Sequence, residues 1–177
     1  MNFTMMKAAA VAATFAVASA TGTAHAASQG SLGSTSTGSV VINATIPNLA
    51  QISRLDDINL GSWSGADLNG SDQFCVFSST RSYTITATSA NGTGTTFRLK
   101  DSGTNYIAYT VNWTDSAAAV SALSSGTASG AQATSATSVN CAGADNTTVA
   151  INVPSANVSA VPAGSYSDTL TMLVTPQ

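Results

Sequence analysis

Chemistry in this chain would have to come from its aspartates, two cysteines and two tryptophans, because the sequence holds no glutamate and one histidine, His25. His25 falls within a segment that reads as a cleaved leader. The mature chain then lacks an imidazole, which is the commonest general base, the usual partner of a nucleophilic Ser or Cys, and the commonest metal ligand. Asp67, Asn69 and Asp72 place three oxygen ligands close together, like the start of a calcium loop. The terminal bidentate Glu of such a loop cannot be supplied, so a solvated turn is the better reading. Asp56 and Asp57 are adjacent, and neighbours on a strand point to opposite faces, so they read as a loop pair and not a catalytic dyad. The expectation is a protein that is not an enzyme and carries no cofactor and no metal.

Cys75 and Cys141 are the only cysteines. In an exported chain two lone cysteines most simply form one structural disulfide, worth about 3–5 kcal/mol on the chain-entropy view. Trp113 lies in register with Ile107, Tyr109 and Val111 and reads as core. Trp63, flanked by Ser and Gly, is a candidate exposed platform for stacking a sugar ring.

The elements that would position these residues are strands. Val40, Ile42, Ala44 and Ile46 alternate up to Pro47, and Ile58 to Trp63 is a candidate short strand. Gly65 to Asp72 reads as a turn cluster. Phe74 to Phe77, then Tyr83, Ile85 and Ala87, read as a strand pair or one bulged strand. Phe97 and Leu99 follow the Asn91-Gly92 turn signal. Ile107, Tyr109, Val111 and Trp113 make the longest clean alternation. Residues 116–138, rich in Ala, Ser, Thr and Gly, read as a long loop or weak edge strand. Val149, Ile151 and Val153 alternate, and Leu170, Met172 and Val174 form a final half-buried strand at which the sequence stops. Helical periodicity is confined to the leader. Short strands between turn clusters predict an all-β, antiparallel, immunoglobulin-like sandwich.

Residues 1–26 carry Lys7, an uncharged apolar run and Ala24-His25-Ala26, the pattern of a secretory signal peptide with its cleavage site. The apolar run is shorter than the roughly 20 residues a membrane span needs, and no transmembrane span is expected after cleavage. About 150 residues remain, enough for one domain with a core of its own. Residues 27–37 read as a flexible lead and 38–177 as the sandwich domain. Charged residues make up 7% of the chain, against about 25% in ordinary domains. Four basic residues in the mature chain do not make a phosphate-binding surface, so nucleic acid is not an expected partner.

Four places together resemble the spore coat protein U-like domain, the pilin fold of archaic chaperone–usher fimbriae. Thr37-Gly38-Ser39-Val40-Val41-Ile42-Asn43 resembles the family's N-terminal alternating segment. Phe74-Cys75-Val76, followed by Tyr83-Thr84-Ile85-Thr86-Ala87, resembles its cysteine-bearing strand. Ile107-Ala108-Tyr109-Thr110-Val111 resembles its Tyr-x-Val strand. Ala163-Gly164-Ser165-Tyr166-Ser167-Asp168-Thr169-Leu170 resembles its final-strand motif, carried by Gly164, Tyr166, Asp168 and Leu170. The resemblance implies a subunit that lacks one strand. A periplasmic chaperone fills the resulting groove first, and an N-terminal strand of the next subunit fills it after delivery to an outer-membrane usher. Family members often carry a cysteine near Gln51-Ile52-Ser53. This chain does not, so Cys75 must pair with Cys141.

The lead offers a groove only Leu32. The donor-strand candidate is therefore Val40, Ile42, Ala44 and Ile46, or else these residues are the domain's own first strand. The expectation is an exported subunit of a surface fimbria or similar assembly, passing through the periplasm to the cell surface and partnered by other copies or related subunits. The rival is a monomeric secreted or surface recognition module, either carbohydrate-binding or adhesive.

Overall fold

β-Branched and aromatic residues that alternate with threonine and asparagine form strands, because a pleated backbone sends successive side chains to opposite faces. A computed structural model describes residues 27–177. The leader reading of residues 1–26 lies outside the described residues. The chain divides into two units, Met1–Thr45 and Ile46–Gln177. In the described part of the first unit, Ser28 and Ser39 exchange two backbone hydrogen bonds of 2.9 and 3.0 Å. This pairing closes the Gly/Ser/Thr-rich lead into a loop. Val40 and Ile42 are exposed, and residues 40–45 form no strand.

The second unit holds β1 (Ala50–Ser53), β2 (Leu68–Ser78), β3 (Ser82–Ser89), β4 (Phe97–Lys100), β5 (Tyr106–Thr114), β6 (Val120–Ala122), β7 (Gln132–Ala133), β8 (Thr147–Val153) and β9 (Leu170–Pro176). The larger sheet has the order β1-β2-β8-β5-β4, with β6 also on β5, and the smaller has the order β7-β3-β9. Every pairing between these strands is antiparallel. The two sheets pack as a sandwich.

Strand register decides what is inside. Val111 faces Ile151 and Trp113 faces Val149 across β5 and β8, and these four side chains are buried. They meet Tyr83, Ile85 and Ala87 of β3, each fully buried. Trp113 packs edge-on to Phe74 at 5.3 Å and to Tyr83 at 6.4 Å. Its indole N–H donates to the Tyr83 hydroxyl at 3.1 Å, so the largest core side chain leaves no polar tip unpaired.

Phe74, Cys75 and Val76 are buried in succession, which a strand permits only if both faces are covered. The disulfide explains this. Cys75 bonds to Cys141, 66 residues away, with Cα atoms 5.8 Å apart. The loop that carries Cys141 lies over the outer face of β2. Asn146, immediately before β8, extends the ladder. Its side-chain oxygen accepts from the Val76 N–H at 2.9 Å and its amide donates to the Val76 carbonyl at 3.0 Å.

The structure differs from the sequence reading at two segments. Residues 68–72 are the first half of β2, not a turn. The backbone ladder to β8, Leu68 opposite Val153 through Phe74 opposite Thr147, holds a stretch with poor strand propensity. Residues 58–63 form no strand. Arg54 adopts φ 70°, and this left-handed residue takes the chain off the β1–β2 ladder before residue 58. The Ser116–Ser138 region is mainly loop, carrying only the short strands β6 and β7.

Candidate functional site

β9 pairs with β3 along one edge, Tyr83 opposite Pro176 through Ser89 opposite Leu170. Among the described residues its other edge has no strand partner. Its inward side chains Leu170, Met172 and Val174 are only half-buried, whereas the inward residues of neighbouring β3 are fully covered. The three-stranded sheet is too narrow to cover the larger one. The uncovered strip is a groove of about 690 Å³. Its floor is Leu99, Tyr109, Val149 and Ile151 of the larger sheet, and one wall is Leu170 and Met172 of β9. The opposite wall is the irregular segment 55–61, which presents Leu55, Ile58 and Leu60.

The final-strand motif builds one end of this groove. The Asp168 carboxylate accepts from Ser89 Oγ at 2.5 Å, from the Tyr109 hydroxyl at 2.6 Å, and from the Asn91 backbone and side-chain N–H groups at 3.1 Å each. It therefore joins the root of β9 to β3, to the turn after β3 and to β5. Burial, and then the Asp168 hydrogen bond and charge, push the Tyr109 phenol far above its ordinary pKa. Tyr166 donates its hydroxyl to the Pro162 carbonyl at 2.8 Å, and its phenol is shifted upward by desolvation and then by Asp101. A side chain at Gly164 would meet Tyr166 at an ordinary 3.7 Å, so the geometry does not demand glycine there.

Of the other sequence candidates, Trp63 is exposed on the loop before β2, away from the groove lining. Asp56, Asp57, Asp72 and Asp168 all line the groove. Two of them have structural tasks in view: Asp168 has the donors just named, and Asp72 Oδ2 accepts from the Asp56 N–H at 3.0 Å. Of the calcium-like cluster, Asp67 and Asn69 share the Asn152 side-chain amide, while Asp72 lines the groove. Asp67 accepts from the Ser155 N–H at 2.8 Å, which with Asn152 holds its carboxyl below the usual pKa, and Asn69 accepts from Asn152 at 2.8 Å. Among the described residues no group of three His, Cys, Asp or Glu side chains is placed to hold a metal ion. No helix among them is long and apolar enough to cross a membrane.

Sequence reasoning missed the wall at 55–61 and the glycine beneath it. Ile58 and Leu60 have the spacing of a strand and Gly70 lies in turn-like sequence, so nothing local in the chain announces the wall.

Compared by sequence, the chain matches no protein-family model and no curated protein. By structure it is similar to a chain of a chaperone–tip adhesin complex described as vital for synergistic activation of CFA/I fimbriae biogenesis. The TM-score is 0.51 at 17% identity, over 73% of this chain and 41% of that one. The chain thus spans less than half the length of the one it matches. At this identity the likeness establishes the fold, an antiparallel sandwich of the kind found in that fimbrial complex.

Proposed function

We propose that this chain is an exported structural subunit of a surface fimbria or similar assembly, joined to its neighbours by strand addition. The observation that carries the reading is the unpaired edge of β9 above a half-covered apolar groove. Such an edge pairs readily with another chain, and a sandwich left open beside it is completed by an added strand. The occupant we assign is the segment 39–46 of a second copy. It is exposed, uncharged and outside both sheets of its own chain.

Val40, Ile42, Ala44 and Ile46 would face the groove floor, each large side chain contributing about 1.5–3 kcal/mol if fully buried. A periplasmic chaperone and an outer-membrane usher are the partners this route requires before assembly. The leader at 1–26 and the disulfide both fit export. The groove carboxylates have structural partners or lie on the wall, and the function proposed for them involves no turnover.

The test is the double variant Val40→Asp, Ile42→Asp in the mature chain. Size-exclusion chromatography should show loss of self-association, while the thermal unfolding transition of the monomer survives. Loss of that transition would make 39–46 a strand of its own domain and sink the donor role. A wild-type protein that is monodisperse at every concentration would favour the recognition module, with Trp63 as its platform.

A further inference from the structure

The groove's second wall has no ladder to hold it. Segment 55–61 pairs with no strand, yet it is fixed at three points. At its root, Arg54 sits at φ 70°, a conformation that a residue with a Cβ rarely adopts. Its guanidinium Nε lies 2.7 Å from Asp145 Oδ1, and its Nη1 donates to the Gly143 carbonyl. Both partners belong to the loop that the Cys141 disulfide ties to β2. Next, the Asp56 N–H donates to Asp72 of β2. Finally, Ile58 and Leu60 lie against Gly70. A Cβ at position 70 would fall 2.5 Å from Ile58 Cγ2 and 2.8 Å from Leu60 Cδ2. Gly70 shares the inward face of β2 with Leu68, Asp72 and Phe74, and the missing side chain is the space in which the wall is seated.

We infer that Arg54 and Gly70 are positioning residues for strand capture, setting the wall 55–61 at a fixed distance from β9. The inference rests on the strand-addition reading. A wall held by a planar guanidinium fork keeps its place beside the groove before any strand arrives. A wall free to swing would have to be ordered by each incoming strand, which lowers affinity. An exposed ion pair adds little to global stability, so the consequence of losing it is local.

The experiment uses the mature chain carrying Val40→Asp and Ile42→Asp, so that its own segment does not compete, and a labelled synthetic peptide of residues 39–46. Fluorescence anisotropy reads the affinity. Arg54→Gly accepts φ 70° without strain but also frees the backbone, so Arg54→Asn, which tolerates this conformation and keeps a Cβ, is measured beside it. In both, the peptide should bind about fivefold more weakly or worse, with the thermal midpoint within about 3 °C of the parent. Arg54→Lys should recover part of that loss, and Gly70→Ala should weaken binding similarly. Hydrogen exchange should rise at 55–61 and not in β5 or β8. Unchanged affinity in both Arg54→Gly and Gly70→Ala overturns the positioning role while strand capture stands. A midpoint that falls in step with affinity also overturns it, because the effect is then global. A parent chain that does not bind the peptide removes strand capture itself, and the positioning role with it.

Discussion

Asp168 accepts four hydrogen bonds from Ser89, Asn91 and Tyr109, so one carboxyl group ties together three neighbouring elements. Asp168→Asn keeps one acceptor oxygen and turns the other into a donor facing the hydroxyls of Ser89 and Tyr109. The expected cost is about 1–3 kcal/mol, read as a lower thermal midpoint. An unchanged midpoint would mean that the node is not what anchors β9. Tyr109 gives a pH signature at the same place. Its phenol is pushed up in the folded chain, first by burial and then by Asp168, so folding favours the neutral form. The stability it contributes is whole below the ordinary phenol value of about 10 and declines as pH rises beyond it. Melts between about pH 8 and 11 should show a falling midpoint. Tyr109→Phe should flatten that fall without abolishing it, because the buried Tyr83 phenol is shifted in the same direction. An equal slope in both proteins would refute the assignment.

At the level of elements, β3, β5, β8 and β9 are legible in the sequence because each alternates large apolar residues with Thr, Asn or Ser. That pattern survives any tertiary context in which one face is buried. The first half of β2 is not legible. Asn69, Gly70 and Ser71 have turn chemistry, and only the ladder to β8 makes them strand. The same limit hides half of the candidate site. The β9 wall carries its motif in the chain, whereas the opposite wall is created by a left-handed arginine and a glycine that become meaningful only when Arg54 meets Asp145 and Gly70 meets Ile58 and Leu60. The two cysteines are the long-range contact that sequence does announce. The bond anchors the loop holding Gly143 and Asp145, so its removal acts at that element. Cys75→Ala with Cys141→Ala should cost about 3–5 kcal/mol and make residues 138–146 the first site of proteolytic cleavage. A midpoint equal to that of the oxidised protein would show that the loop is held by Asn146 and Arg54 alone.

Across the whole molecule, charge is scarce. Charged residues are 7% of the chain and the net charge is −3. The acidic groups that line the groove face a proposed donor segment that carries no charge at all. Association through main-chain hydrogen bonds and apolar side chains should therefore be nearly indifferent to ionic strength. Screening weakens only interactions between exposed charges, and between about 0.05 and 0.5 M salt the Debye length shortens roughly threefold. The wild-type mature chain should self-associate with rising protein concentration to the same extent at both salt levels, as read by static light scattering. The Val40→Asp, Ile42→Asp variant should stay monomeric at both. Its introduced carboxylates would have to enter a groove already lined by Asp56, Asp57, Asp72 and Asp168. Assembly that dissolves as salt is raised would place the contact on charged surfaces elsewhere, and the β9 groove would not be the joint between subunits.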